Sequence, residues 1–310
     1  MTIGVFGAGA VGCYFGARLA QQGTAVTLVG RQRHVDAIRR DGLVIEGRAG
    51  TEVVSIDAST DVGAIADADV VLVTVKSVDT EAAADLLAAH ISSATLIVSL
   101  QNGVDNAWRL QARLPHAVVP GVVYVSTEMA APGIVRHNGG GRLVLGRPLG
   151  SSSLSEAAQV TVEALHQLFV AAGVPCDLAQ DVRLDLWTKL ATNCAYNALS
   201  AITGLRYGAV AAHEEARQVM AMLTDELVAV AHAEGVPLAP EAAHAAVRGI
   251  LDVMPGALSS TAQDLQAGRP TEIDALNGHV LRRGQAHGVP TPVNQTLATL
   301  VKVLERTRRA

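Results

Sequence analysis

The sequence predicts an α/β domain over residues 1–180 followed by an all-α domain over residues 181–310. Three observations predict it. The chain opens on a short apolar strand that runs straight into a glycine turn and then a helix. Further apolar, β-branched runs recur through the first half, several of them followed by a helical segment, which is the pattern of strand–helix–strand units and a parallel sheet. From about residue 181 the periodicity is helical and strand patterns almost vanish.

The first strand is the run Ile3-Gly4-Val5-Phe6. Behind it, GAGAVG spans residues 7–12 and sets Gly7, Gly9 and Gly12 at the spacing of a Rossmann-like dinucleotide turn. The first glycine makes the tight turn, the second lets backbone approach a pyrophosphate, and the third lets helix and strand pack closely. The following helix, residues 11–22, turns its N–H groups and partial positive charge on the phosphates. Ala8, Ala10 and Val11 fill the places between the glycines. All six residues are candidates for cofactor binding.

A second strand, AVTLV at residues 25–29, completes the unit and ends at Gly30-Arg31, with Arg33 and His34 close behind. A carboxylate at this strand end would hold the adenosine ribose of NAD and repel a ribose phosphate. Arg31 stands there instead and can pair with a phosphate, so the expected cofactor is NADP(H). A solvated loop charge is the plain alternative. Residues 42–56 read as a hairpin turning at 48–50. The run 69–75 reads as a buried parallel strand ending in Lys76-Ser77. Ligands of open α/β sheets lie beyond the carboxyl ends of the strands, which places Lys76 to meet the phosphates or ribose. A surface lysine ahead of a helix is the alternative. Residues 81–90 read as a helix and 95–100 as a strand, ending at Gln101-Asn102-Gly103. Asn102 also stands at a strand end, although asparagine before glycine is a common turn pair in its own right. Strands at 118–127 and 141–146 are separated by a glycine-rich turn at 138–141, and a helix at 155–172 and a strand at 174–178 close the domain.

The second domain reads as helices at 182–202, 214–234, 240–252, 271–287 and 293–308, with Gly204, Gly235, Gly256 and Gly288 at or beyond their ends as stops. Lys189, Asn193 and Asn197 recur every four residues and so share one face of the first of these helices. Their neighbours are largely apolar. A polar stripe there is costly unless it is satisfied or lines a cavity, and desolvation of a lysine on it suits proton donation. A rim lysine with two core asparagines capping backbone is the alternative. Ser260 reads as the N-cap of a short helix, and Glu272 and Asp274 follow Pro270 in a first helical turn. Each of these has a structural reason to be there.

The chain of 310 residues is 49% hydrophobic and 17% charged, with a net charge of −5, and its pI is near 6.0. That charge balance argues against a nucleic-acid partner, and with only 3% aromatic residues a base-stacking platform is not expected either. Cys13, Cys176 and Cys194 show no metal spacing and fit a reducing compartment. No metal site is expected. Neither a signal peptide nor a membrane span is legible, so a soluble cytoplasmic protein is the expectation.

Several segments together resemble the ketopantoate reductase (2-dehydropantoate 2-reductase) family along the whole chain. They are GAGAVG at residues 7–12, VGR ending at Arg31, VKS around Lys76 and LQNGV around Asn102. In the second half they are TKLATNCAYNALSAITG from Thr188, SSTAQDL from Ser259 and TEIDALNGHVLRRGQAHGVPTPVN from Thr271. The resemblance implies NADPH-dependent reduction of a small 2-oxo acid in pantothenate biosynthesis. It implies that Arg31 and Lys76 hold the phosphate side of the cofactor and that Lys189 is the general acid. It further implies that Asn193, Asn197 and Ser260 bind substrate, that Asn102 lies between nicotinamide and substrate, and that Glu272 helps hold both. One place departs from the pattern: Tyr207 stands near where some members carry a further substrate-contacting asparagine. The same fold and mechanism acting on another 2-oxo acid, or a non-catalytic NADP(H) sensor, are the alternatives. The alanine-rich second-domain helices leave a homodimer and an internal core equally open.

Overall fold

The structure is a computed structural model that describes residues 1–149 and 152–307. The chain divides into two compact units, Met1–Val182 and Arg183–Ala310.

The first unit begins with β1 (Thr2–Phe6), α1 (Ala10–Gln21) and β2 (Ala25–Val29), in which β1 and β2 pair in parallel. Beyond β2 come α2 (Gln32–Asp41), the hairpin β3 (Leu43–Gly47) and β4 (Gly50–Val54), and the short β5 (Asp57–Ser59). Then follow β6 (Val70–Val73), α3 (Thr80–His90), β7 (Leu96–Ser99), α4 (Asn106–Gln111), β8 (Val118–Ala131) and β9 (Ile134–Leu145). The unit closes with α5 (Ser152–Ala171) and β10 (Cys176–Leu178). The strands join one sheet in the order β4-β3-β9-β8-β7-β6-β1-β2-β5, with β10 also on β9. From β5 to β8 every pairing is parallel, and from β8 to β9 it turns antiparallel.

Alternation along the strands loads both faces of the sheet. Val70 and Leu72 of β6 face one core with Phe15 and Leu19 of α1 and Phe169 of α5. Val71 and Val73 face another with Leu87 of α3 and Leu110 of α4. This is the doubly wound layering that β-branched, uniformly apolar strands require. Phe15 meets Phe169 edge to face at 5.9 Å, a geometry that aromatic quadrupoles favour.

One local expectation is corrected in this unit, and one element is added. Residues 138–141 are not a turn between strands but the middle of β9, which pairs with β8 through several register shifts. Gly140, at φ 76°, could not carry a side chain there, because its Cβ would lie 2.4 Å from the carbonyl oxygen of Tyr124. The glycines therefore let a bulged ladder continue. The segment 32–41, to which the sequence pattern assigns no element, is α2, with only Val35, Ala37 and Ile38 as its buried apolar stripe.

The second unit comprises α6 (Arg183–Thr203), α7 (Tyr207–Ala212), α8 (Glu214–Ala233), α9 (Pro240–Val253), α10 (Ser260–Gln266), α11 (Asn277–His287) and α12 (Pro292–Thr307). Position 308, expected to end the last helix, lies outside the described residues. α6 is central and packs against α8, α9, α10 and α12. Its buried residues include Leu186, Leu190, Ala191, Ala195 and Ala198, and small residues at helical spacing let neighbouring helices approach closely. Gly204, Gly235 and Gly288 adopt positive φ just past α6, α8 and α11, as helix stops do. The helix expected over 271–287 is broken: a single turn at Ile273–Ala275 precedes α11, and Leu276 between them leaves helical geometry at φ −106°, ψ −109°.

Candidate active site

The glycine turn has the geometry its spacing implies. The Gly7 and Ala8 N–H groups both donate to the carbonyl of Val29, at 3.0 and 2.9 Å, which ties the turn to the end of β2. The Thr74 hydroxyl donates to the Gly7 carbonyl at 2.7 Å. Gly7 sits at φ 115°, in the region glycine alone enters freely. A Cβ on Gly12 would lie 2.4 Å from Thr74 Oγ1 and 2.5 Å from the Gly7 oxygen, so only glycine lets α1 press against the strands. Gly9 differs. Its absent Cβ points into space where the nearest heavy atom is 4.0 Å away, so the backbone is bare on its outer side. No side chain caps α1 behind it, which leaves the N–H groups of Ala10 and Val11 in the first turn of an uncapped helix. A pyrophosphate fits such a turn: backbone without side chain, donors and a partial positive charge at one place.

Arg31, Lys76 and Asn102 stand just beyond the carboxyl ends of β2, β6 and β7, which are neighbours of β1 or of one another in the sheet. Arg31 is exposed at the N-cap of α2. Lys76 precedes a single helical turn at Ser77–Asp79. The loops carrying Lys76 and Asn102 are fastened together by a buried polar network that sequence reasoning did not find. The Ser77 hydroxyl donates to the Asn102 carbonyl at 2.7 Å and the Asn106 amide donates to the same oxygen at 2.6 Å. Arg109 donates to Asn106 Oδ1 at 2.9 Å and to the Ser77 carbonyl at 2.9 Å, and its guanidinium pairs with Glu81 at 2.6 Å. The Arg109 side chain holds the Glu81 carboxyl below the usual carboxylate range.

In the second unit α6 brings Lys189, Asn193 and Asn197 to one face. Burial pulls the Lys189 ammonium down to about 8, while the carboxylate of Glu272 acts in the opposite direction. Glu272 stands at the start of the single turn before α11. Asn193 is half-buried, and Asn197 is only 3% exposed. Ser260 is not the N-cap expected of it. Ser259 caps α10, accepting from the Ala262 N–H at 3.0 Å and donating to the Asn197 carbonyl at 3.2 Å. With the capping role one residue earlier, the Ser260 hydroxyl is exposed and faces the Asn197 amide at 3.5 Å. The unit thus brings Lys189 and Glu272 within electrostatic reach, and Asn197 and Ser260 within hydrogen-bonding reach. No helical periodicity could have revealed the third partner: the Tyr207 hydroxyl, which donates to Asn197 Oδ1 at 3.1 Å.

Among the described residues no group of three or more His, Cys, Asp or Glu could hold a metal ion, and no helix is long and apolar enough to cross a membrane. Burial pushes the Cys13 and Cys176 thiols up to about 12, which leaves them unreactive.

An α/β unit with this turn, followed by a helical unit carrying a desolvated lysine, defines the class: a dinucleotide-binding oxidoreductase. The family model described as "Ketopantoate reductase PanE/ApbA" matches residues 3–150, and its C-terminal counterpart matches residues 181–305. A 2-dehydropantoate 2-reductase of Halobacterium salinarum is 34% identical over 309 residues, covering 99% of each chain. A solved structure of a PanE/ApbA family ketopantoate reductase from Ralstonia eutropha is 45% identical, covers 100% of both chains and superposes with a TM-score of 0.91. D-mandelate dehydrogenase, solved with NADH and anilino(oxo)acetate, covers the same extent at 23% identity and TM-score 0.91, a likeness of fold. The chain belongs to the ketopantoate reductase family.

Proposed function

We propose that the chain reduces 2-dehydropantoate to pantoate with NADPH, and that Lys189 is the proton donor. The observation that carries this reading is the Lys189 ammonium, brought down to about 8 by desolvation beside the Glu272 carboxylate. Such a lysine is mostly charged at neutral pH yet gives up its proton more readily than a solvated one. NADPH supplies a hydride to C2 of the oxo acid when it is bound. As the ketone oxygen gains negative charge, the Lys189 Nζ stabilises it and passes it a proton, leaving a 2-hydroxy acid and a neutral amine. Asn193, Asn197 and Ser260 bind and orient the acid, and Glu272 maintains the charge on Lys189. In the first unit Gly7–Gly12 take the pyrophosphate, Arg31 and Lys76 the phosphate side of the cofactor, and Asn102 the nicotinamide side. Support for NADPH over NADH comes from Arg31 at the end of β2, where a carboxylate would repel a phosphate.

A second reading keeps the mechanism and changes the acid. It is favoured by Tyr207, which stands where some family members carry an asparagine and whose hydroxyl is committed to Asn197. Steady-state NADPH oxidation with ketopantoate, 2-oxoisovalerate and pyruvate separates the two. The expected result is the highest kcat/KM for ketopantoate. A higher value for another acid transfers the assignment to that acid, and no oxidation with any of them overturns the reductase reading.

A further inference from the structure

Tyr207 opens α7, and both ends of its side chain are engaged. Its ring lies on that of Tyr196, centroids 4.6 Å apart and tilted by 36°. The backbone N–H groups of Tyr207 and Gly208 donate to the carbonyls of Ala257 and Pro255, at 3.0 and 2.8 Å. The start of α7 is thereby pinned to the segment that leads into Ser259 and Ser260. Its hydroxyl reaches Asn197 Oδ1 at 3.1 Å.

A phenol is a far better donor than acceptor, because its oxygen shares electron density with the ring. Burial, with Tyr196 beside it, pushes the Tyr207 phenol up, so it stays protonated and donating. The contact therefore orients the Asn197 amide: its oxygen faces Tyr207 and its nitrogen faces Ser260. Asn197 is 3% exposed, and a flipped amide would instead require the phenol oxygen to accept the Asn197 N–H, the weaker of its two roles. The distance from Asn197 Nδ2 to Ser260 Oγ is 3.5 Å, the outer limit of a hydrogen bond. An N–H held so loosely is available to a better acceptor placed between the two groups.

We propose that Tyr207 is a positioning residue for substrate recognition: its hydroxyl fixes the Asn197 amide so that the Asn197 N–H and the Ser260 O–H together present two donors to the carboxylate of the 2-oxo acid. The inference rests on the reductase reading above and adds to it how the acid group is selected. It explains why a tyrosine suffices at this position without touching the acid itself.

Tyr207→Phe tests it, since the ring and its packing on Tyr196 remain and only the hydroxyl goes. The expected result is a rise of about tenfold in KM for the 2-oxo acid, the effect of one lost hydrogen bond, with kcat and the KM for NADPH within about twofold. The melting temperature falls by no more than a few degrees, the cost of one buried acceptor left without its donor. In an Asn197→Ala background the same substitution adds almost nothing, because the partner through which Tyr207 acts is gone. An unchanged KM, or the same tenfold effect with and without Asn197, overturns the proposal and leaves the reductase reading intact. A larger fall in melting temperature with both KM values raised makes Tyr207 a packing residue and also overturns it. A native chain that oxidises NADPH with no 2-oxo acid overturns both.

Discussion

On the proposed mechanism Lys189 should set the pH profile of the reaction, and Glu272 should tune it. The ammonium is the active form, so kcat/KM should hold level on the acid side and fall about tenfold per pH unit above about 8. Glu272 raises the Lys189 pKa against desolvation. Glu272→Gln therefore moves the break in the profile to lower pH, and a break that stays in place separates the two residues. Lys189→Ala should lower kcat by roughly 10²–10⁴ while NADPH still binds, which single-turnover kinetics and fluorescence titration read independently. Unchanged turnover would remove Lys189 from the chemistry. Arg31 is proposed to bear on selectivity instead. Arg31→Ala should weaken NADPH by about tenfold or more and NADH little, because only NADPH carries the phosphate that a guanidinium pairs with. Equal weakening of both would mean that Arg31 does not read the phosphate.

At the scale of the element, the glycine turn separates into a packing position, Gly12, and a proposed binding position, Gly9. A Cβ on Gly12 meets Thr74 Oγ1 at 2.4 Å and a backbone oxygen at 2.5 Å, so Gly12→Ala must push α1 off the sheet. It should cost about 1–3 kcal/mol of stability, visible as a lower melting temperature. Gly9 has open space and φ −91°, which alanine tolerates. Gly9→Ala should keep the melting temperature and weaken NADPH, since the new methyl occupies the place a pyrophosphate needs. Normal NADPH affinity in Gly9→Ala would locate the pyrophosphate elsewhere. This turn was legible in the sequence because three backbone requirements fall within six consecutive residues, 7–12. The parallel strands were legible because burial on both faces leaves an uninterrupted β-branched run. α2 was not, since half of QRHVDAIRRD is charged and its packing stripe is only three residues wide. The middle of β9 was misread for a different reason: glycine marks turns and bulges alike, and only pairing with β8 distinguishes them. At the site, the four-residue spacing of Lys189, Asn193 and Asn197 announced a shared face. The exchange of roles between Ser259 and Ser260 needed the cap geometry, and the Tyr207–Asn197 bond needed the return of the chain beyond Gly204.

At the scale of the whole molecule, most residues proposed for the cofactor and the proposed proton donor fall in different units. The glycine turn, Arg31, Lys76 and Asn102 lie within Met1–Val182, and Lys189, Asn197, Ser260 and Glu272 lie within Arg183–Ala310. On the proposed roles, gripping a cofactor and donating a proton should be separable properties of one chain, and thermal stability can distinguish them. A ligand that binds only the folded state stabilises it by RT ln(1 + [L]/Kd), about 2.7 kcal/mol at a hundredfold excess over Kd. For a first unit of Met1–Val182 this corresponds to a rise of roughly 5–10 °C in its melting temperature with saturating NADPH. The shift should persist in full in Lys189→Ala, which loses only the proton donor. It should shrink in Arg31→Ala with NADPH and be unaltered there with NADH. Calorimetric scans of the three proteins with each cofactor make the comparison without any substrate present. Loss of the NADPH shift in Lys189→Ala would move that lysine from proton transfer to cofactor binding, and with it the reading of why burial holds its ammonium near 8.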